Sequence, residues 1–278
     1  MTPLNQLCVW QEKSLLLNNN QVNMKMYPSC SLLQRLSQPR FYGLHPDYEA
    51  LEPFVCTLPE RFEEGVGEII YQGRTTLRRM EYYGLQLVVK SFAHPSIVNR
   101  VVYGTLRGSK AKRSFLYAKA FQGIGVGSPQ PVAWLDQRNG LLLDKSYYVS
   151  LLSMCTLCYD AVFARNFPYT ENLCRTLGKQ SALLHNNGYL HKDYGRGNIL
   201  YEPLHDNQVK IEIVDLNRMY RGPVNLKMGC KNFERLPATP EMHHWMAEEY
   251  AKIRGFDMDE CYNLITHYRC QAKGNENI

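Results

Sequence analysis

His191-Lys-Asp-Tyr-Gly-Arg-Gly-Asn198 sets a histidine, an aspartate and an asparagine at fixed intervals, and an apolar run downstream ends in a second carboxylate, Asp215. The segments 198–201 and 209–214 read as two short strands, apolar and β-branched, and Pro203 with Asp206-Asn207 supplies a turn between them. Such a hairpin folds the end of one strand beside the start of the other. It brings Asn198 and Asp215 to the same open end, close enough to share a cation. An amide oxygen and a carboxylate oxygen suit a hard divalent ion, and a separate carboxylate at Asp193 suits the proton of an attacking hydroxyl.

Phosphoryl transfer makes these demands, and H-x-D-x-x-x-x-N followed by a second acid is the arrangement that protein kinases place around ATP and magnesium. An ATP-binding half should then carry a lysine on a strand upstream. Gly84-Leu-Gln-Leu-Val-Val-Lys90 is such a strand, preceded by the turn Tyr82-Tyr83-Gly84. Before it, 66–71 and 75–80 read as two further strands joined near Gly73, which makes a three-stranded meander with Lys90 on its third strand. An apolar strand ending in lysine is common by itself. Its place ahead of a catalytic loop gives it meaning.

Glu60-Arg-Phe-Glu-Glu64, Ile70-Tyr-Gln-Gly-Arg74, Leu87-Val-Val-Lys-Ser-Phe92, Ser109-Lys-Ala-Lys-Arg-Ser-Phe115, His191–Asn198, Asp215-Leu-Asn-Arg-Met219 and Cys230-Lys-Asn-Phe-Glu-Arg-Leu236 follow one another in this order. Together they resemble the bacterial lipopolysaccharide kinase family, the Kdo and heptose kinases of the inner core, over roughly residues 44–270. The resemblance implies an α+β, two-lobed, protein-kinase-like fold. Its N-lobe would be an antiparallel sheet plus one helix, and its C-lobe mostly helical with a catalytic β-hairpin. It also implies ATP and Mg²⁺ as cofactors and a sugar hydroxyl as acceptor. By matched position, Asp193 would be the base, Asn198 and Asp215 the magnesium ligands, and Lys90 the residue on the non-transferred phosphates. Arg196 and Lys192 flank the base, where they could neutralise charge on the moving group or on an anionic sugar; pairing with a neighbouring carboxylate is an equal alternative for both.

The sequence departs from the kinase pattern in three places. Asp215-Leu-Asn stands where protein kinases have Asp-Phe-Gly, which removes a switch built on Phe. The helix expected at 110–122 contains no acidic residue, and Leu116 occupies the place of the glutamate that would pair with the lysine. The nucleotide loop is thin in glycine: Gly73-Arg74-Thr75 offers one, and Gly65 and Gly67 come early. These departures keep two alternatives open, a kinase acting on a protein or other small molecule and a catalytically weak, kinase-shaped binding module.

Composition agrees with a globular chain of two lobes: 278 residues, 45% hydrophobic and 21% charged. No apolar run approaches the roughly 20 residues that cross a bilayer. Gln11-Glu12-Lys13 interrupts the apolar run at 7–17, so no secretory leader is expected, and nine scattered cysteines suit a reducing compartment. A cytoplasmic protein follows, with peripheral association at the inner membrane as an extension. Between Tyr82 and Leu135 there is no Asp or Glu, while Lys90, Arg100, Arg107, Lys110, Lys112, Arg113 and Lys119 all fall there. Such a field suits nucleotide phosphates, an anionic membrane surface or the anionic glycolipid of a lipopolysaccharide precursor. A solvated face is the plainer reading, and nucleic acid is not expected because no stacking motif accompanies the charge.

The expected organisation is an N-terminal extension at 1–44, poorly ordered, an N-lobe at 45–152 and a C-lobe at 153–278. Strands at 129–135 and 141–152 would complete the first lobe, and 150–155 would be the hinge that touches adenine. Thr170 should cap a helix at 171–185, stopped near Gly188. Thr239-Pro240 opens a helix that Gly255 ends, and Asp257-x-x-Glu260 reads as the capping box of the last helix. Cys155-x-x-Cys158 reads as interior thiols near the lobe junction, and His243-His244 as decoration on a helix surface.

Overall fold

The computed structural model describes residues 25–27, 40–93, 108–139, 142–164 and 169–276. Its first lobe is built on a seven-stranded antiparallel sheet in the order β1-β2-β6-β7-β5-β4-β3. The strands are β1 (Lys25–Tyr27), β2 (Arg40–Leu44), β3 (Glu68–Gln72), β4 (Thr75–Tyr82), β5 (Leu85–Phe92), β6 (Pro131–Asn139) and β7 (Leu142–Leu151). The expected meander is β3-β4-β5, with Leu77 opposite Lys90 and Tyr82 opposite Leu85. The period of two divides β5 cleanly. Leu87 and Val89 face one side with Tyr42, Leu135, Tyr147 and Val149. Lys90 and Phe92 take the other side, where Phe92 packs with Trp134.

Each face is covered by helix. Leu51, Phe54, Val55 and Leu58 lie at helical spacing through α1 (Glu52–Cys56) and α2 (Leu58–Glu63), and all four are buried against the first face. Helix α3 (Lys110–Gly123) covers the second with Ala111 and Phe115, its N-terminus capped by Ser109, which accepts from the Lys112 amide at 3.0 Å. The single helix expected in this lobe is therefore joined by two short ones. The stretch expected to be poorly ordered also needs correction. β1 and β2 fall within it, and β2 pairs along its whole length with β6, from Arg40–Gln137 to Leu44–Ala133. Tyr42 carries the pairing because it alone of that strand reaches deep into the helix-covered core.

The second lobe is mostly helical around one core. Its helices are α4 (Ala161–Ala164), α5 (Thr170–Asn186), α6 (Leu226–Lys231), α7 (Pro240–Arg254) and α8 (Met258–Glu276). Leu173, Leu177, Ala182 and Leu184 make the inner side of α5. Thr170 is its first helical residue rather than its cap. Gly178 lets α5 cross α7 closely: a Cβ there would lie 2.4 Å from the Met246 carbonyl oxygen. Thr239 caps α7, Gly255 ends it at φ +69°, and the Asp257 carboxylate accepts from the Glu260 amide at 2.8 Å. His243, expected on the surface, is buried in α7. Its neighbour His244 lies edge-on to Tyr262 of α8.

Two small sheets accompany these helices. β10 (Ile199–Pro203) and β11 (Val209–Ile213) form the expected hairpin with β8 (Leu157–Cys158) alongside, and β9 (Tyr189–His191) pairs with β12 (Met219–Arg221). Side chains of the hairpin fasten the chain as it leaves β7. Glu212 accepts from the Ser153 hydroxyl at 2.6 Å, and Glu202 accepts from the Thr156 amide and hydroxyl at 3.0 and 2.7 Å. From the other direction the loop after α3 closes on β11. Its Gly127 carbonyl accepts from the Ile213 amide at 2.9 Å, and a Cβ at Gly127 would meet the Ile211 carbonyl oxygen at 1.9 Å. Among the described residues no helix is long and apolar enough to cross a membrane.

Candidate active site

His191 ends β9, and its ring organises the loop that follows. It is fully buried, and burial lowers its pKa, so the ring is neutral. Nδ1 accepts from the Asp193 amide at 3.2 Å, which leaves the proton on Nε2 for the Val214 carbonyl at 3.1 Å. One imidazole thus ties Asp193 to the residue before Asp215. The loop is held from behind as well. The Asn232 amide donates to the His191 carbonyl at 2.8 Å, and its oxygen accepts from His185 Nε2 at 3.2 Å. Nδ1 of His185 then accepts from the Tyr250 hydroxyl at 2.9 Å. Burial pulls the His185 pKa down to about 3, so this chain of bonds runs through a neutral ring.

The predicted polar groups meet at the open end of the hairpin. Asn198 Nδ2 donates to the Asp193 carbonyl at 2.9 Å, and the Asn198 carbonyl accepts from the Val214 amide at 3.0 Å. The next residue, Asp215, holds φ at +60°, a left-handed conformation that costs a non-glycine residue about 1 kcal/mol and that aspartate tolerates better than most. Its Oδ1 accepts from Lys90 Nζ at 2.5 Å and from the Asn217 amide. Lys90 reaches this point from β5 with its ammonium 5.3 Å from the Phe92 ring centre.

The missing glutamate has a structural counterpart. Leu116 packs against the cluster of Phe92, Phe115 and Trp134, and Asp215 itself takes the lysine. Gly73-Arg74-Thr75 forms the β3–β4 connection, with Thr75 opposite Phe92, two positions along from Lys90. Arg196 pairs with Asp160 at 3.3 Å, both exposed, and Lys192 lies exposed beside the base. Cys155 is buried, which pushes its thiol up to about 11, and the Cys158 thiol donates to the Arg196 carbonyl at 3.1 Å. Of the basic stretch, Arg100 and Arg107 lie outside the described residues.

Two residues that sequence reasoning missed touch the Asp193 carboxylate directly. Arg218 Nη1 donates to Asp193 Oδ2 at 3.0 Å, and Arg235 Nη1 to Oδ1 at 3.1 Å. Both stand in segments that carry the resemblance, but 25 and 42 positions from Asp193, where no spacing rule connects them. Asn232 was missed for the same reason, 41 positions from the His191 carbonyl it bonds.

The residues fit a magnesium ion in the kind of donor they present. With the Asn198 NH₂ committed to the Asp193 carbonyl, its amide oxygen is the end left for a cation, and Asp215 adds a carboxylate next to it along the hairpin. Among the described residues no three His, Cys, Asp or Glu side chains gather as metal ligands. An Asn–Asp pair completed by phosphate oxygens is a set of a different kind.

A β-sheet lobe bearing the lysine and a helical lobe bearing the loop and hairpin, joined where Lys90 meets Asp215, define a protein-kinase-like fold. The fold is similar to that of WaaP in complex with acyl carrier protein, with a TM-score of 0.59 at 16% identity over 84% of this chain and 98% of that one. Two structures of WbdD also match. One is a co-crystal with the kinase inhibitor LY294002 (TM-score 0.42, 15% identity, 71% of this chain and 44% of that one). The other is described as the bifunctional kinase-methyltransferase (TM-score 0.42, 14% identity, 70% and 42%). The likeness to WaaP is one of fold. No protein-family model and no curated protein sequence matches the chain.

Proposed function

We propose that this chain is an ATP-dependent kinase that transfers the γ-phosphoryl group to a sugar hydroxyl, Kdo or heptose, of the lipopolysaccharide inner core. The observation that carries the reading is the meeting of Lys90 with Asp215 beside Asn198 and the Asp193 loop. Asp193 orients the acceptor hydroxyl and takes its proton. Lys90 holds the non-transferred phosphates, and the β3–β4 turn at Gly73-Arg74-Thr75 covers them. Asn198 and Asp215 would hold Mg²⁺, which when bound offsets charge on the phosphate oxygens. Lys90 and Asp215 hold each other's position before any ligand arrives, a role usually shared with a helix glutamate. The lobe boundary near 152–153, adenine contact at 150–155 and peripheral membrane association belong to the same proposal. So does the glycolipid partner, which the basic stretch supports.

Comparing lipopolysaccharide cores by mass spectrometry from cells with and without this protein tests the acceptor. Loss of one inner-core phosphate is expected, and unchanged cores would remove the assignment. A second reading, a catalytically weak binding module, is favoured by Leu116 at the glutamate position. Slow Mg-ATP hydrolysis by the purified chain supports the enzyme; Mg-ATP binding without any turnover supports the module.

A further inference from the structure

Arg218 and Arg235 arrive from different parts of the second lobe, one just before β12 and the other between α6 and α7. Each gives Asp193 a single Nη1 contact, on opposite oxygens of the same carboxylate. Their side chains are 61% and 54% exposed, against 25% for Asp193. Two guanidiniums on one carboxylate leave a local excess of positive charge, and Lys192 adds to it from the surface. A guanidinium presents five donors in a planar fork that matches a carboxylate or phosphate through two parallel bonds. One contact each therefore uses a small part of what these side chains offer.

Resting on the kinase reading above, we propose that Arg218 and Arg235 seat an anionic group, carboxylate or phosphate, carried by the acceptor close to the hydroxyl that is phosphorylated. Without such a group they rest on Asp193. The argument is one of distance and competition. Anything bound by both arginines lies within one guanidinium of the base, so its anionic group and its reacting hydroxyl are no further apart than the width of one sugar. A carboxylate with both oxygens engaged has neither free to meet a hydroxyl, and an arriving anion draws the guanidiniums away and frees it. The acceptor class is then an acidic or already phosphorylated sugar, and the site prefers it to a neutral one.

The test pairs charged and uncharged acceptors: the methyl glycoside of Kdo against its carboxyl methyl ester, and a methyl heptoside phosphate against the plain methyl heptoside. Phosphotransfer from Mg-ATP and calorimetric binding of each compound are measured for the full chain and for Arg218→Gln, Arg235→Gln and the corresponding lysine variants. At least one charged compound should be favoured roughly tenfold or more over its neutral partner, mainly through KM, with the preference falling as salt rises. The glutamine variants should lose that preference, with the KM values of the charged and neutral compounds converging, and the lysine variants should keep part of it. Which pair shows the effect tells carboxylate from phosphate. An equal loss of kcat on charged and neutral acceptors would overturn the proposal, as would wild-type binding that ignores charge in both pairs. Charge-dependent binding without any transfer would instead count against the kinase reading while leaving the anion seat in place.

Discussion

Lys90 and Asp215 lie 125 positions apart in the chain and meet at 2.5 Å where the two lobes adjoin. The contact joins a sheet lysine to the acid at the end of the hairpin, and it does so in a protein whose α3 presents leucine where a pairing glutamate would stand. Asp215→Ala should weaken Mg-ATP binding by tenfold or more, since it removes the proposed cation ligand and the lysine's partner together. An unchanged magnesium dependence of binding in that variant would count against the assignment.

Asp193→Ala separates chemistry from binding. Loss of a positioned base costs about 10²–10⁴-fold in rate. Transfer should fall by that amount while Mg-ATP affinity, measured by calorimetry, stays within a factor of about three. Comparable activity in the variant would remove Asp193 from the mechanism.

Restoring a glutamate at position 116 should not improve the enzyme. Its neighbours are Phe92, Phe115 and Trp134, so the new carboxylate would enter an apolar cluster. A loss of about 2–4 kcal/mol in urea unfolding is expected for Leu116→Glu, without a gain in kcat. A more active, equally stable variant would show that Asp215 is an inadequate partner for Lys90.

Two buried groups give stability opposite dependences on pH. Burial pushes the Asp136 carboxyl up to about 6 from an ordinary 3.8, with Ser109, Arg138 and Lys112 offsetting part of the effect. The folded state therefore holds this proton more tightly than the unfolded chain. The contribution is fully present below pH 3.8 and is lost as pH rises through about 6, a change on the order of 3 kcal/mol. Asp136→Asn should gain stability relative to wild type as pH rises from 4 to 7.5, and a constant difference in urea unfolding across that range would refute the linkage.

His185 works in the other direction. Its folded pKa near 3 lies below the ordinary 6.5, so its contribution is present above 6.5 and is lost as pH falls. By pH 5 the loss amounts to about 2 kcal/mol. His185→Gln should flatten the acid side of the stability profile, and an equally steep acid limb in that variant would argue against it.

The sequence made the β3–β4–β5 meander, the hairpin, both ends of α7 and the start of α8 legible because each depends on neighbours: alternation, turn residues, caps. Lys90, Asp193, Asn198 and Asp215 were singled out because kinase chemistry fixes residue types at set intervals. Arg218, Arg235 and Asn232 were not, because their partners are reached only through tertiary folding. Arg196 shows the same boundary from the other side. Its place next to the base suggested catalysis, yet in space it faces Asp160. β2 was missed because only Tyr42 of its five residues advertises deep burial, and the α1–α2 pair because its apolar residues are split between two short helices.

The bonds from Tyr250 through His185 and Asn232 to the His191 carbonyl have a consequence for genetics. A random screen for inactive variants should return changes on the inward side of α7, well away from any substrate. Such alleles would make soluble protein that still takes up nucleotide but turns over slowly, and compensating mutations should cluster around Asn232 rather than in the groove.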